Sequence, residues 1–126
     1  MIDHVSIGVR DLPAATRFYE AALATIGFSK LADRAHTVGF GKRYPEFWLN
    51  RRSDMVEASG AGVHVCLRAD STQSVDAFHA TALAAGATSD GPPGRRQEYS
   101  EGHYAAFIRD PDGNRIEAVT FLTPST

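Results

Sequence analysis

Apolar and polar residues alternate at the start of the chain and then switch to a helical spacing. Ile2, Val5, Ile7 and Val9 make a strand-like run that leaves His4 and Ser6 on the face opposite Val5 and Ile7. Asp11-Leu12-Pro13 predicts a helix start, with Asp11 as the cap and proline tolerated in the first turn. Ala15, Phe18, Tyr19, Ala22, Leu23 and Ile26 then recur at the interval that lines one helix face. The second half repeats this pattern. A strand from Val63 to Ala69 and a polar start from Asp70 to Ser74 lead into a helix carrying Val75, Phe78, His79, Ala82, Leu83 and Gly86. His4 to Ala24 overlays His64 to Ala84 without gaps at an offset of sixty residues, matching His4 with His64, Phe18 with Phe78 and Leu23 with Leu83. Such a repeat means one supersecondary unit used twice.

Short strand-like segments follow each helix. They are Phe28 to Ala32, His36 to Gly41 and Glu46 to Asn50 in the first half, and Gly102 to Arg109 and Arg115 to Phe121 in the second, with a looser stretch around Thr88. Asp110-Pro111-Asp112-Gly113-Asn114 joins the last two with strong turn chemistry. Gly60-Ala61-Gly62 marks a seam, giving one domain of two modules at about 1–59 and 60–126. Gly91 to Arg96 reads as a loop over one end of the second half. Each half is too small to be stable alone.

Composition narrows the function. Of 126 residues 43% are hydrophobic and 22% charged, an ordinary globular balance, and the net charge is -2. No basic stripe is present, which argues against nucleic acid. The start MIDHVSIGVRDL lacks the features of a signal peptide, and no apolar run is long enough to span a bilayer. A cytoplasmic protein with no membrane partner is expected. Cys66 is the only cysteine and fits a reducing compartment; between Val65 and Leu67 it reads as a buried small hydrophobe.

Three residues carry candidate chemistry. His4, His64 and Glu117 each sit in a predicted strand, Glu117 between Ile116 and Ala118. A carboxylate on an interior face is costly unless it is paired or binds a cation. Two imidazoles and one carboxylate suit Zn, Mn, Fe or Ni, with positions left for water or substrate. The plainer alternative makes the histidines core residues and pairs Glu117 with an arginine such as Arg115. The repeat favours the metal set, because it makes His4 and His64 spatially equivalent.

HVSIGVRDLPAATRFYEAAL, HVCLRA and DPDGNRIEAV together resemble the vicinal oxygen chelate superfamily, which includes glyoxalase I, fosfomycin-resistance thiol transferases, extradiol dioxygenases and bleomycin-resistance proteins. The resemblance implies an α+β fold of two tandem βαβββ modules, forming a curled mixed sheet around a central cavity. It implies one divalent metal ion at His4, His64 and Glu117, and a homodimer. The fourth family ligand, a carboxylate in glyoxalase-type members, falls on Trp48, which cannot ligate. Glu46, one pleat away, reads as an edge charge. What remains is closer to the dioxygenase and fosfomycin-transferase patterns, with Trp48 as a wall of the substrate pocket or plain core.

The parity of the Asp110–Asn114 hairpin decides which side chains join Glu117. A two- or four-residue loop would place Tyr104 beside it as a hydrogen-bond donor; a three-residue loop would bring His103 and Phe107 instead. Tyr99 and His103 are further candidates at the mouth of a substrate cavity, and exposed loop residues otherwise. Glu117 and Tyr104 are thus the candidate catalytic groups. Trp48, Tyr104, Tyr99 and His103 are the candidate substrate contacts. The expected function is a metal-dependent enzyme of lyase/isomerase, dioxygenase or thiol-transferase type, chelating neighbouring oxygens of a small molecule. Its rival is a non-catalytic sequestering protein of the bleomycin-resistance type.

Overall fold

The computed structural model describes residues 1–58 and 62–123. Gly60 and Ala61 of the expected seam lie outside the described residues. Val5–Val9 form β1, Leu12–Ala24 α1, Ser29–Asp33 β2, Thr37–Gly41 β3 and Phe47–Arg51 β4. Val65–Arg68 form β5, Thr72–Ala84 α2, Thr88–Arg95 β6, His103–Arg109 β7 and Arg115–Phe121 β8. The βαβββ order therefore occurs twice, each time with its own four-stranded sheet, in the orders β1-β4-β3-β2 and β5-β8-β7-β6. In each, the first strand lies parallel to the last, and the remaining pairs are antiparallel.

Local chemistry sets both helices. Asp11 caps α1 by accepting a bond from the Ala14 amide at 3.1 Å, and Ser71 caps α2 by accepting one from Ser74 at 3.1 Å. Their apolar stripes meet one face of each sheet, and the two helices pack on one another. Phe18, Tyr19, Leu23, Phe40, Phe47 and Leu49 join Val75, Phe78, Ile108 and Ile116 in one buried cluster. Leu83 departs from the repeat, at 36% exposed where Leu23 is fully buried. Among the described residues no helix is long and apolar enough to cross a membrane.

The Asp110–Asn114 turn holds the halves together. Asp110 accepts bonds from the Asp112 amide at 2.9 Å, the Asn114 amide at 2.8 Å and Asn114 Nδ2 at 3.0 Å. Its other neighbour is the buried Tyr19 hydroxyl of α1, which donates to Oδ2 at 2.6 Å. Arg10 bonds Asp112 at 2.9 Å through Nε, and Asn114 Nδ2 donates to the Gly8 carbonyl at 2.9 Å. The turn residues thus reach the end of β1 and the helix after it.

Two sequence expectations need correction. The segment from Gly91 to Arg95 belongs to β6, an edge strand paired to β7 with register shifts around Gly91. Pro92 and Pro93 are accommodated there because a bulged edge strand does not need every amide donor. Cys66 is exposed rather than buried. Leu67 takes the inward position in β5, so its neighbours face outward.

His79, on the inner face of α2, lies 2.8 Å from Ser89 Oγ, and burial lowers its pKa. The unfolded imidazole takes up a proton near about pH 6.5, whereas the folded ring resists it. This contribution to stability is therefore complete above that pH and is lost as pH falls through it. Urea denaturation should show a larger loss of stability between pH 7 and pH 5.5 in the wild type than in His79→Gln; equal slopes would contradict the assignment.

Candidate functional site

The strand registers place the candidate residues. In module one Ser6 lies opposite Trp48 and Gly39 opposite Trp48 from the other side. In module two Cys66 and Phe107 lie opposite Glu117 in the same way. Trp48 therefore occupies in the first sheet the place that Glu117 holds in the second. Its ring lies over Gly39, where an added Cβ would come within 3.0 Å of Cζ3, and the Arg34 guanidinium stacks 5.3 Å from the ring centroid. Glu46 precedes Phe47 and lies half-buried on the same face as Trp48.

Glu117 is the centre of the second sheet's open face. Its side chain is 5% exposed, yet among the described residues it carries no arginine partner: His64 Nε2 is 3.1 Å from Oε1 and His103 Nε2 is 3.0 Å from Oε2. A carboxylate accepts and does not donate, so each ring N–H is the donor. Arg115, the partner considered from sequence, instead approaches Asp90 at 3.6 Å. The Cys66 thiol also bonds Glu117; partial burial of the sulfur, and then the Glu117 charge, push its pKa up to about 12. A thiol so held is a poor nucleophile.

His103 is packed among rings, with Tyr99 and Phe121 centroids each 5.3 Å away. His64, Tyr99, His103, Phe107 and Glu117 line a cavity of about 290 Å³. Tyr104 is elsewhere. The turn between β7 and β8 has five residues, so Phe107 faces Glu117 and Tyr104 faces Thr120. The Tyr104 hydroxyl donates to Asp76 of α2 at 2.6 Å, on the side of the sheet away from Glu117. The odd loop length is the physical reason, since each added residue reverses which side chains share a face.

His4 does not join this group within the chain. It precedes β1, its side chain is 53% exposed, and Nδ1 lies 2.7 Å from Asp3 Oδ1. Among the described residues no three His, Cys, Asp or Glu side chains are assembled as a metal site. His64 Nε2 and Glu117 Oε1, 3.1 Å apart, are an imidazole and a carboxylate of the kind that hold divalent ions. The donors fit; one chain leaves the set incomplete. Sequence reasoning missed the bond from His103 to Glu117, although the odd-loop alternative already pointed to that side chain.

Residues 1–118 match the Glyoxalase/Bleomycin resistance protein/Dioxygenase superfamily. A glyoxalase/bleomycin resistance protein from Albidiferax ferrireducens is 33% identical, with a TM-score of 0.79 over 93% of this chain and 95% of that one. A family enzyme from Burkholderia phytofirmans is 24% identical with a TM-score of 0.74, covering 96% and 98%. The fosfomycin resistance protein FosX from Mesorhizobium loti has the same fold at 16% identity, with a TM-score of 0.68 over 97% and 92%. No curated protein matches the sequence. Two βαβββ modules and a match over nearly the whole length agree: the chain belongs to the glyoxalase/bleomycin resistance protein/dioxygenase superfamily.

Proposed function

We propose that the protein is a divalent-metal-dependent enzyme acting on a small molecule with neighbouring oxygens, its site completed between two copies of the chain. The observation that carries this reading is the buried Glu117 carboxylate 3.1 Å from His64 on an open sheet face. The module-one counterpart of His64 is His4, just before β1 and half exposed. The helices and the shared core occupy the inner faces of both sheets. A second copy can therefore lay the His4 face of one chain against the Glu117 face of the other. The result is a homodimer with two equivalent sites, the commonest closed symmetry.

His4, His64 and Glu117 would hold the ion, which can be Zn, Mn, Fe or Ni. A bound divalent ion would supply Lewis acidity toward two adjacent substrate oxygens. To serve as a ligand His64 would have to give up the Nε2 proton that it now donates to Glu117, because a metal-bound imidazole is neutral. His103 keeps Oε2 occupied, which orients Oε1 toward His64. Tyr99 and Phe107 wall the cavity and restrict water. Trp48 comes with the His4 face and presents an aromatic wall to the substrate. In this reading the two modules form one domain, and a single cysteine suits a reducing compartment such as the cytoplasm.

The sequestering alternative is favoured by one observation: both imidazoles already satisfy Glu117 without an ion. Metal analysis separates the two. Protein purified without chelators or a histidine tag should carry about one divalent ion per chain, and Glu117→Ala should carry almost none. Absence of metal from both proteins would leave a binding protein.

A further inference from the structure

Beside the Glu117 cavity lies a second one of about 350 Å³, lined by His64, Asp90, Arg96, Tyr99, Phe107 and Arg115 among others. Its charge is unbalanced. Asp90 is shared at 3.6 Å between Arg109 and Arg115, too far for hydrogen bonds, and Arg96 has no carboxylate partner among the described residues. Among the described residues Arg115 Nε is buried without a hydrogen-bond partner, which leaves one of its donors free for an acceptor.

The Arg96 guanidinium is held in place at this cavity. Nη2 donates to the Pro92 carbonyl at 2.5 Å and Nη1 to the Arg95 carbonyl at 3.3 Å, while the group stacks 5.5 Å from the centre of the Phe107 ring. Two glycines make room for it. A Cβ at Gly91 would stand 3.2 Å from Nη2, and one at Gly94 would stand 3.1 Å from Nη1. A guanidinium offers five N–H donors in a planar fork, and the two carbonyls leave the others unfilled.

We propose that Arg96 and Arg115 form an anion subsite that receives the carboxylate of a small carboxylic acid, with the rest of the ligand extending past His64 toward Glu117. This deepens the function proposed above by naming its substrate class. Arg96, Arg109 and Arg115 stand against Asp90 and, at the far end of the ligand, Glu117, an excess of about one positive charge that matches a monoanion better than a dianion. Arg115 and Glu117 are two residues apart on one strand and share a face, so their backbone positions stand roughly 7 Å apart. That span suits a compound of benzoate size, and Tyr99 and Phe107 offer ring contacts along it.

The test uses metal-free full-length protein in a chelator-free Tris buffer, titrated with benzoate and with its neutral analogue benzamide and followed by amide NMR shifts. Benzoate should saturate, and benzamide should bind at least about tenfold more weakly, since charge-assisted bonds to guanidinium are the stronger kind. Arg96→Gln and Arg115→Gln should each weaken benzoate by about tenfold. Arg51→Gln, in the separate cavity of about 660 Å³ that it lines with Arg10 and Arg34, should leave benzoate binding unchanged. Equal binding of benzoate and benzamide would overturn the proposal without relying on any variant. So would the absence of saturation, tighter binding of inorganic phosphate than of benzoate, or a loss confined to Arg51→Gln. Glu117→Ala separates this subsite from the metal reading: it should abolish metal binding and retain benzoate.

Discussion

Asp110→Ala is expected to lower stability by about 3–5 kcal/mol, the range in which a buried hydrogen-bonded network is broken rather than trimmed. The carboxylate accepts from two backbone amides, from Asn114 Nδ2 and from the Tyr19 hydroxyl. Removing it leaves the Tyr19 hydroxyl inside the core without its acceptor. Burial pushes the Asp110 carboxyl up from its ordinary range, while the bonds from Tyr19 and Asn114 pull it back. Those same bonds stabilise the charge where it is buried. The midpoint of thermal unfolding should fall by roughly 10–20 °C. Tyr19→Phe removes one donor and leaves the turn's own bonds, so about 1 kcal/mol is expected. Calorimetry on both single variants and the double variant would show coupling between the two positions. Additive losses would mean that the turn does not clamp the modules through this pair.

The second large effect is expected at His4, a residue with no contact to the proposed centre within its own chain. His4→Ala should reduce metal affinity by at least about a hundredfold, because deleting a ligand costs no less than deleting a group that merely orients one. Folding should be nearly unaffected, since the side chain is half exposed and, among the described residues, bonds its neighbour Asp3 alone. Calorimetric titration of the metal-free protein would read the affinity, and its thermal unfolding the stability. If module two held the ion alone, through His64, Glu117 and His103, the variant would bind as the wild type does.

Much of this arrangement was legible in the chain, for identifiable reasons. The α1 cap at Asp11 and the buried face from Ala15 to Ile26 follow from spacing and side-chain chemistry that act within a few residues. The place of Trp48 was readable through the family resemblance, which put it at the fourth ligand position, and the strand registers give it the counterpart place of Glu117. Tyr104 was not settled, since one residue more or fewer in the 110–114 turn exchanges it with His103. The β6 strand was hidden because two prolines and two glycines read as a loop until a partner strand is supplied. Cys66 misled for a related reason: Val65 and Leu67 make its strand look apolar throughout, yet its alternate face is the open one. The bond from Tyr19 to Asp110 spans ninety-one residues, and a tyrosine in an apolar stripe carries no local sign of its partner.

The most direct test of a site shared between copies is complementation. His4→Ala and Glu117→Ala chains, each with a different tag that binds no metal, would be co-expressed and the doubly tagged heterodimer isolated. One of its two sites carries both substitutions, and the other pairs an intact His4 with an intact His64 and Glu117. The account predicts that the heterodimer regains about half the metal of the wild-type dimer, while either variant alone stays nearly empty. A heterodimer as empty as its parents would contradict a site built across the two chains.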